Sequence, residues 1–299
     1  MEKDTRKKVT VQNINGFLIS PRFRVENLQR TIDFKPRDDD IFVAGYPKSG
    51  TTWTQYIVWS IVNKGAALPD VNRMWLREVP HLEMTGVEGI ENSRSPRLLK
   101  VNLPFNLTPY NPSSKYIYVY RNPWDSCVSA FNMFKQVDEN FSDGTFADYF
   151  ECFIRGEVSH GDYFDHLLSW YARWNDPNFL FMTYEEMNRN TGEVVLKMAQ
   201  FLGQEYHEML TNNREIFESI LGRIQFDQMK QNLPLKLSNS SYADEKSLKK
   251  IDFFHSGKIG QWDDYFTEDQ KKRLREKFID KLSETKMLSL WKVSDIFLE

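Results

Sequence analysis

Short apolar runs recur along the chain, each followed by a polar or glycine-rich break and then by apolar positions at helical spacing. The clearest is Ile41-Phe42-Val43-Ala44. It gives way to Gly45-Tyr46-Pro47-Lys48-Ser49-Gly50 and then to residues 51–63, where Trp53, Tyr56, Ile57 and Ile61 mark one face of a helix. A second unit starts with Tyr116-Ile117-Tyr118-Val119-Tyr120. Asn122 then fits an N-cap, and Pro123 fits the first helical turn, where a missing N–H costs nothing. Phe179-Leu180-Phe181-Met182 predicts a third strand, followed by a polar turn and a helix over 192–202. Shorter helices are expected between 149 and 174, and another over 268–282.

Strands alternating with helices predict an α/β fold: one domain over residues 1–299, with a central parallel sheet flanked by helices. Polar stretches at 137–145 and 236–250 read either as surface loops or as lids over a pocket.

Composition narrows the function. Lys plus Arg number 39 against 42 Asp plus Glu, a net charge of −3, which lacks the cationic excess that coating nucleic acid requires. No apolar run approaches the ~20 residues of a membrane span, and the charged start MEKDTRKKVT lacks a secretory signal. Only two cysteines occur, Cys127 and Cys152, too few for a disulfide framework or a Cys-rich metal site. A cytoplasmic protein is expected. The 22 Phe, 13 Tyr and 8 Trp favour a large core and a pocket with flat walls.

The first unit carries the chemistry. Gly45 and Gly50 flank Lys48 and Ser49 between a strand and a helix, and Thr51 and Thr52 follow. Such a P-loop-like turn aims backbone N–H groups and a helix N-terminus at an anion, and the hydroxyls add donors. Lysine there can meet an oxygen that gains charge as a bond breaks. The nucleoside-triphosphatase pattern G-x-x-x-x-G-K-[ST] wants lysine after the second glycine, where this chain has Thr51. No later strand ends in the aspartate that would hold Mg²⁺. A phosphate ligand without an essential metal is therefore favoured over a P-loop small-molecule kinase.

The run from Tyr46 to Trp53 resembles the signature of the cytosolic sulfotransferases. These use 3′-phosphoadenosine 5′-phosphosulfate (PAPS) to sulfonate small-molecule hydroxyls or amines, leaving 3′,5′-ADP (PAP). Four further segments resemble that family in the same order. They are Arg121-Asn122-Pro123-Trp124-Asp125-Ser126-Cys127-Val128-Ser129, Gly156-Glu157-Val158-Ser159-His160-Gly161, Tyr184-Glu185-Glu186-Met187, and the pair Gly257 and Gly260-Gln261-Trp262. The resemblance implies cofactor contacts from Lys48, Ser49, Gly50, Thr51, Thr52 and Trp53. It adds Arg121 and Ser129 on the 3′-phosphate, Tyr184 and Phe226 with Trp53 on the adenine, and His255, Ser256 and Gly257. It implies acceptor contacts from His81, Met84, Met133 and Val137, catalysis by Lys48 and Lys100, and no metal.

Three departures qualify this. The family's K-[ST]-H-L-P histidine, its proton acceptor, is Asn102 in Lys100-Val101-Asn102-Leu103-Pro104. Asparagine can orient a hydroxyl but accepts no proton at useful pH. His81, with Glu83 behind it, is the candidate to compensate, and the remaining histidines read as structural or cofactor-side. The family's R-K-G is His255-Ser256-Gly257, with Lys258 next. Its K-x-x-x-T-V-x-x-x-E dimer motif is reduced to Asp263, Thr267, Glu268 and Lys272, which leaves the homodimer open. The expected activity is sulfonate transfer from PAPS to a hydroxyl, with an amine as alternative acceptor. Phenols and catecholamines are favoured, because an acidic hydroxyl needs less help from a base. The rival is a protein that binds PAPS or PAP without turnover.

Overall fold

A computed structural model of the chain describes residues 6–232, 235–237, 249–252 and 257–291. In chain order its strands are β1 (Gln12–Ile14), β2 (Phe17–Ile19), β3 (Ile41–Ala44), β4 (Leu98–Val101), β5 (Lys115–Tyr120), β6 (Phe179–Thr183), β7 (Leu235–Leu237) and β8 (Lys249–Ile251). Strands β3 to β6 form one parallel sheet in the order β4-β3-β5-β6.

Strand parity divides the interior. Phe42, Ala44, Leu99, Val101, Tyr116, Tyr118 and Tyr120 enter one buried cluster. Ile41, Val43, Leu98, Ile117, Val119 and Met182 enter the other. Neighbouring side chains on a strand point to opposite faces, so each face needs its own apolar cover. Helices Phe146–Ile154, Tyr163–Tyr171 and Glu268–Leu282 cover the tyrosine face, and Thr51–Val62 with Thr191–Leu202 cover the other.

The sequence reading missed several elements. Strand β4 is four residues long and carries Lys100, so no apolar run announces it. The helices expected between 149 and 174 are present as Phe146–Ile154 and Tyr163–Tyr171, the second capped by Asp162, whose carboxylate accepts the Phe164 and Asp165 N–H groups. The polar turn after residue 182 is a helix, Tyr184–Arg189, capped by Thr183. The stretch 137–145 is anchored at two points: Asp138 accepts both the N–H and the hydroxyl of Thr10, and Phe141 is fully buried. Most of 236–250 lies outside the described residues. At the altered dimer motif, Thr267 caps the helix Glu268–Leu282 and Lys271 bridges Asp263 and Glu268. Among the described residues no helix is long and apolar enough to cross a membrane.

The strand order fixes where a ligand can sit. From β3 the chain crosses to β4 on one side, while β5 leads to β6 on the other. Connections that part in opposite directions leave a crevice at the carboxyl ends of β3 and β5. At the opposite end the sheet is tied by Asp40 and Arg97, both buried, with Nε–Oδ1 and Nη2–Oδ2 each at 2.6 Å.

Removing one member of this pair strands a buried charge, which typically costs about 3–5 kcal/mol, whereas an apolar pair of similar volume is often tolerated. Asp40→Leu or Arg97→Met alone should therefore lower the urea midpoint sharply. The double variant should regain most of the loss.

Candidate active site

The turn after β3 is shaped by close approach. A Cβ on Gly45 would stand 2.3 Å from the Val119 carbonyl oxygen, so only glycine lets the turn lie against β5. Lys48 and Gly50 are both left-handed, at φ 70° and 106°, a conformation that costs a lysine roughly 1–2 kcal/mol. Gly50 begins the helix Thr51–Val62 and offers no side-chain cap, so the helix's first N–H groups stay directed at the crevice. Ser49 Oγ, Thr52 Oγ1 and Arg121 Nε are buried without a hydrogen-bond partner. Buried donors of this kind normally have partners. Three of them around a helix N-terminus fit phosphate oxygens.

These groups open onto a cleft of about 830 Å³, mouth included. Its walls include Lys48, Gly50, Thr51, Thr52, Trp53, Arg121, Ser129, Tyr184, Phe226, Gly257 and Lys258. Trp53 meets Tyr184 edge-on at 5.7 Å and anchors its Nε1 on the Ile224 carbonyl. The Arg121 guanidinium lies 4.3 Å from the centre of the Tyr184 ring, and Tyr184 donates its hydroxyl to the Gly257 carbonyl. Gly257 sits so tightly on Phe226 that a Cβ would approach the ring to 2.5 Å. The Lys258 contribution on Arg121 is its carbonyl, at 3.0 Å from Nη2. Half-buried Lys48 is partly stripped of water and faces the Arg121 and Lys100 cations, which lowers its pKa to about 7.

The second half of the site lies beside β4. His81 extends the sheet by one parallel bridge to Lys100, and the Lys100 N–H donates to the Pro80 carbonyl. Glu83 is wholly buried, and its Oε1 accepts the Asn102 N–H. Asn102 directs its side-chain amide onto the Gly45 carbonyl, so it ties this half to the phosphate turn. His166 lies between the Tyr118 hydroxyl and the Asn102 carbonyl, 3.0 Å from each. Burial lowers the His81 pKa to about 4 despite the neighbouring carboxylate, and Lys100 is lowered to about 8 for the same first reason. Burial alone would raise Glu83, but His81 and His160 outweigh it and keep the carboxylate ionised.

The cleft walls include the expected nucleotide residues except Ser49, which is buried behind the turn, and His255 and Ser256, which lie outside the described residues. Met84, Met133 and Val137 are half-buried and His81, Lys100 and Asn102 are buried, and none of the six is among its walls. Asp125, Gln261 and Tyr265 line the cleft without having been singled out for it. Asp125 holds the Gly260 N–H at 2.9 Å and so docks that segment. His160, expected to be structural or cofactor-side, is buried beside Glu83 and Phe23. Its displacement in sequence hid that neighbourhood.

A family profile described as "Sulfotransferase domain" matches residues 38–286. The rabbit (Oryctolagus cuniculus) amine sulfotransferase is 34% identical over 274 residues, covering 90% of this chain and 89% of its own. Human sulfotransferase 1C2 is 30% identical over 297 residues, covering 95% and 97%. Mouse sulfotransferase SULT7A1, solved with PAP, superposes with a TM-score of 0.73 at 28% identity, covering 93% of this chain and 95% of that one. Retinol dehydratase shares the fold, with a TM-score of 0.71 at 24% identity over 93% of this chain and 91% of that one. With most of its length matched by the family profile and by these relatives, the chain belongs to the sulfotransferase family.

Proposed function

We propose that this chain transfers a sulfonate group from PAPS to the hydroxyl of a small, mostly apolar acceptor of phenolic character. The observation that carries the reading is the trio of unpartnered donors on Ser49, Thr52 and Arg121, set around the Lys48 turn in a cleft with aromatic walls. Bound PAPS supplies the electrophilic sulfonate and a phosphate leaving group. Lys48 stabilises charge on the departing phosphate oxygen, Arg121 and Ser129 hold the 3′-phosphate, and Trp53, Tyr184 and Phe226 take the adenine. Lys100 neutralises the group in transit. Asn102 orients the acceptor. Transfer of this kind relies on positioning and electrostatics, as phosphoryl transfer does, and the less charged sulfonate asks less of a metal.

Labelled PAPS incubated with phenols, catecholamines and steroids tests this directly. Labelled phenol sulfates are the expected product. Tight PAP binding with no transfer to any acceptor would make the chain a nucleotide-binding protein instead. Because Asn102 accepts no proton, Asn102→His should raise turnover on aliphatic alcohols about 10²-fold or more beyond its effect on phenols, the lower end of what a positioned base supplies. Equal gains on both classes would defeat that expectation.

Proton linkage gives a second check. Free Lys48 titrates near pH 7 and phosphate favours its charged form, so binding above pH 7 must draw a proton onto it. PAP affinity should weaken as pH rises from 7 to 9, by up to about tenfold per unit for one proton. Calorimetry at pH 8 in buffers of different ionisation enthalpy should report proton uptake that Lys48→Met abolishes. A wild-type affinity that is flat from pH 7 to 9 would contradict the linkage.

A further inference from the structure

The proton of the acceptor hydroxyl needs a destination, and Asn102 cannot provide it. One strand away, three buried polar atoms lack hydrogen-bond partners: His81 Nε2, Glu83 Oε2 and His160 Nε2. They belong to one cluster. His81 Nε2 lies 2.9 Å from Glu83 Oε1 but without the alignment of a hydrogen bond, and His160 Nε2 stops 3.9 Å from the same oxygen. All three side chains are at least nine-tenths buried.

The placement follows from the sheet. His81 and Lys100 are ladder partners in a parallel bridge, so their side chains emerge on the same face, about one strand spacing of ~4.8 Å apart. Lys100 and Asn102 are two residues apart and share that side. A group at position 81 therefore addresses the space beside Lys100 from the neighbouring strand. The His81 ring is fixed by edge-on contacts with Phe23 at 5.8 Å and Trp75 at 6.4 Å. Phe23 also meets His160 edge-on at 5.4 Å, and Ser159 Oγ engages His160 Nδ1 at 3.0 Å, which turns Nε2 toward Glu83. The charged and titratable groups facing His81 are thus Glu83, His160 and Lys100.

Resting on the sulfonate-transfer reading, we propose that His81 is the proton acceptor of the reaction, moved one strand from position 102, with Glu83 and His160 as positioning residues. With its proton on Nε2, which faces the Glu83 carboxylate at 2.9 Å, the neutral imidazole leaves the lone pair of Nδ1 to take the acceptor's proton. Protonation at Nδ1 makes the ring an imidazolium, and its Nε2–H contact with Glu83 becomes charge-assisted. The buried carboxylate thereby stabilises the imidazolium as it forms, the role an aspartate plays behind a hydrolase histidine. In the step, the acceptor O–H bond breaks and its proton passes to His81. The acceptor oxygen bonds to sulfur while the bridging sulfur–oxygen bond breaks, its electron pair remaining on the phosphate oxygen near Lys48. His81 then returns its proton to water, so each turnover yields one sulfate ester, one PAP and one proton.

The test compares wild type with His81→Gln and His81→Phe, the second keeping a ring against Phe23 and Trp75. PAP affinity reports whether each variant is folded. Reactions at saturating PAPS use phenol and 4-nitrophenol from pH 6 to 9. A lost base should lower kcat/KM for phenol about 10²–10⁴-fold but spare the more acidic nitrophenol. The phenol rate of the variants should also climb tenfold per pH unit toward the phenol pKa near ~10, a slope that wild type lacks. Added imidazole should restore part of the phenol rate in His81→Gln. An equal loss for both phenols with an unchanged pH profile, or no loss at all, overturns the base while leaving sulfonate transfer standing. A wild type that binds PAP and sulfonates no phenol overturns both. If His81→Gln fails to bind PAP, His81→Phe decides alone.

Discussion

Three cations converge on one crevice: Lys48 from the first turn, Arg121 at the end of β5 and Lys100 on β4, and each of the lysines is disfavoured as a cation by the loss of water. The carboxylates nearby are already engaged. Asp125 holds Asn122 and Gly260, and Glu83 holds the Asn102 N–H. The crevice therefore combines a cluster of cations with the unpartnered hydroxyls of Ser49 and Thr52, and an anion with several oxygens satisfies both at once. That arrangement exists only because Gly45 has no Cβ. With any side chain there, the turn would be pushed off the Val119 carbonyl, and Lys48 would separate from Arg121.

The two halves of the site are mechanically joined. The amide of Asn102 rests on the Gly45 carbonyl, its N–H on Glu83 and its own carbonyl on His166. His166 in turn reaches the Tyr118 hydroxyl on the tyrosine face of the sheet. Burial lowers the His166 pKa to about 3, so it serves as a neutral hydrogen-bonding strut. Asn102 is thus a structural junction.

Much of the nucleotide half was legible from the sequence because its chemistry is local. Glycine, lysine and three hydroxyls fall within eight consecutive residues, and a strand and a helix flank them with opposite periodicities. Arg121, Ser129 and Tyr184 were legible through motifs of similar compactness. The parallel sheet followed from the alternation of β-rich and helical segments. Strand β4 did not, because its four residues include a lysine that pattern reading assigns to the surface, although Lys100 is buried at the edge of the crevice.

The acceptor half was harder to read for a different reason. Glu83 and His160 are far apart in the chain and meet only because the β1–β2 hairpin docks on the 156–161 turn. There the His160 N–H donates to the Leu18 carbonyl, and Ser159 receives the Ser20 N–H. The hairpin itself hinges on Asn15-Gly16, both at positive φ, a signal present in the sequence but with nothing to say where the hairpin lands. Sequence gives the type of a polar group and the period that buries it. Whether its last lone pair finds a partner is a tertiary property, since one neighbour displaced by an ångström decides it. The unpartnered atoms of His81, Glu83 and His160 are of this kind.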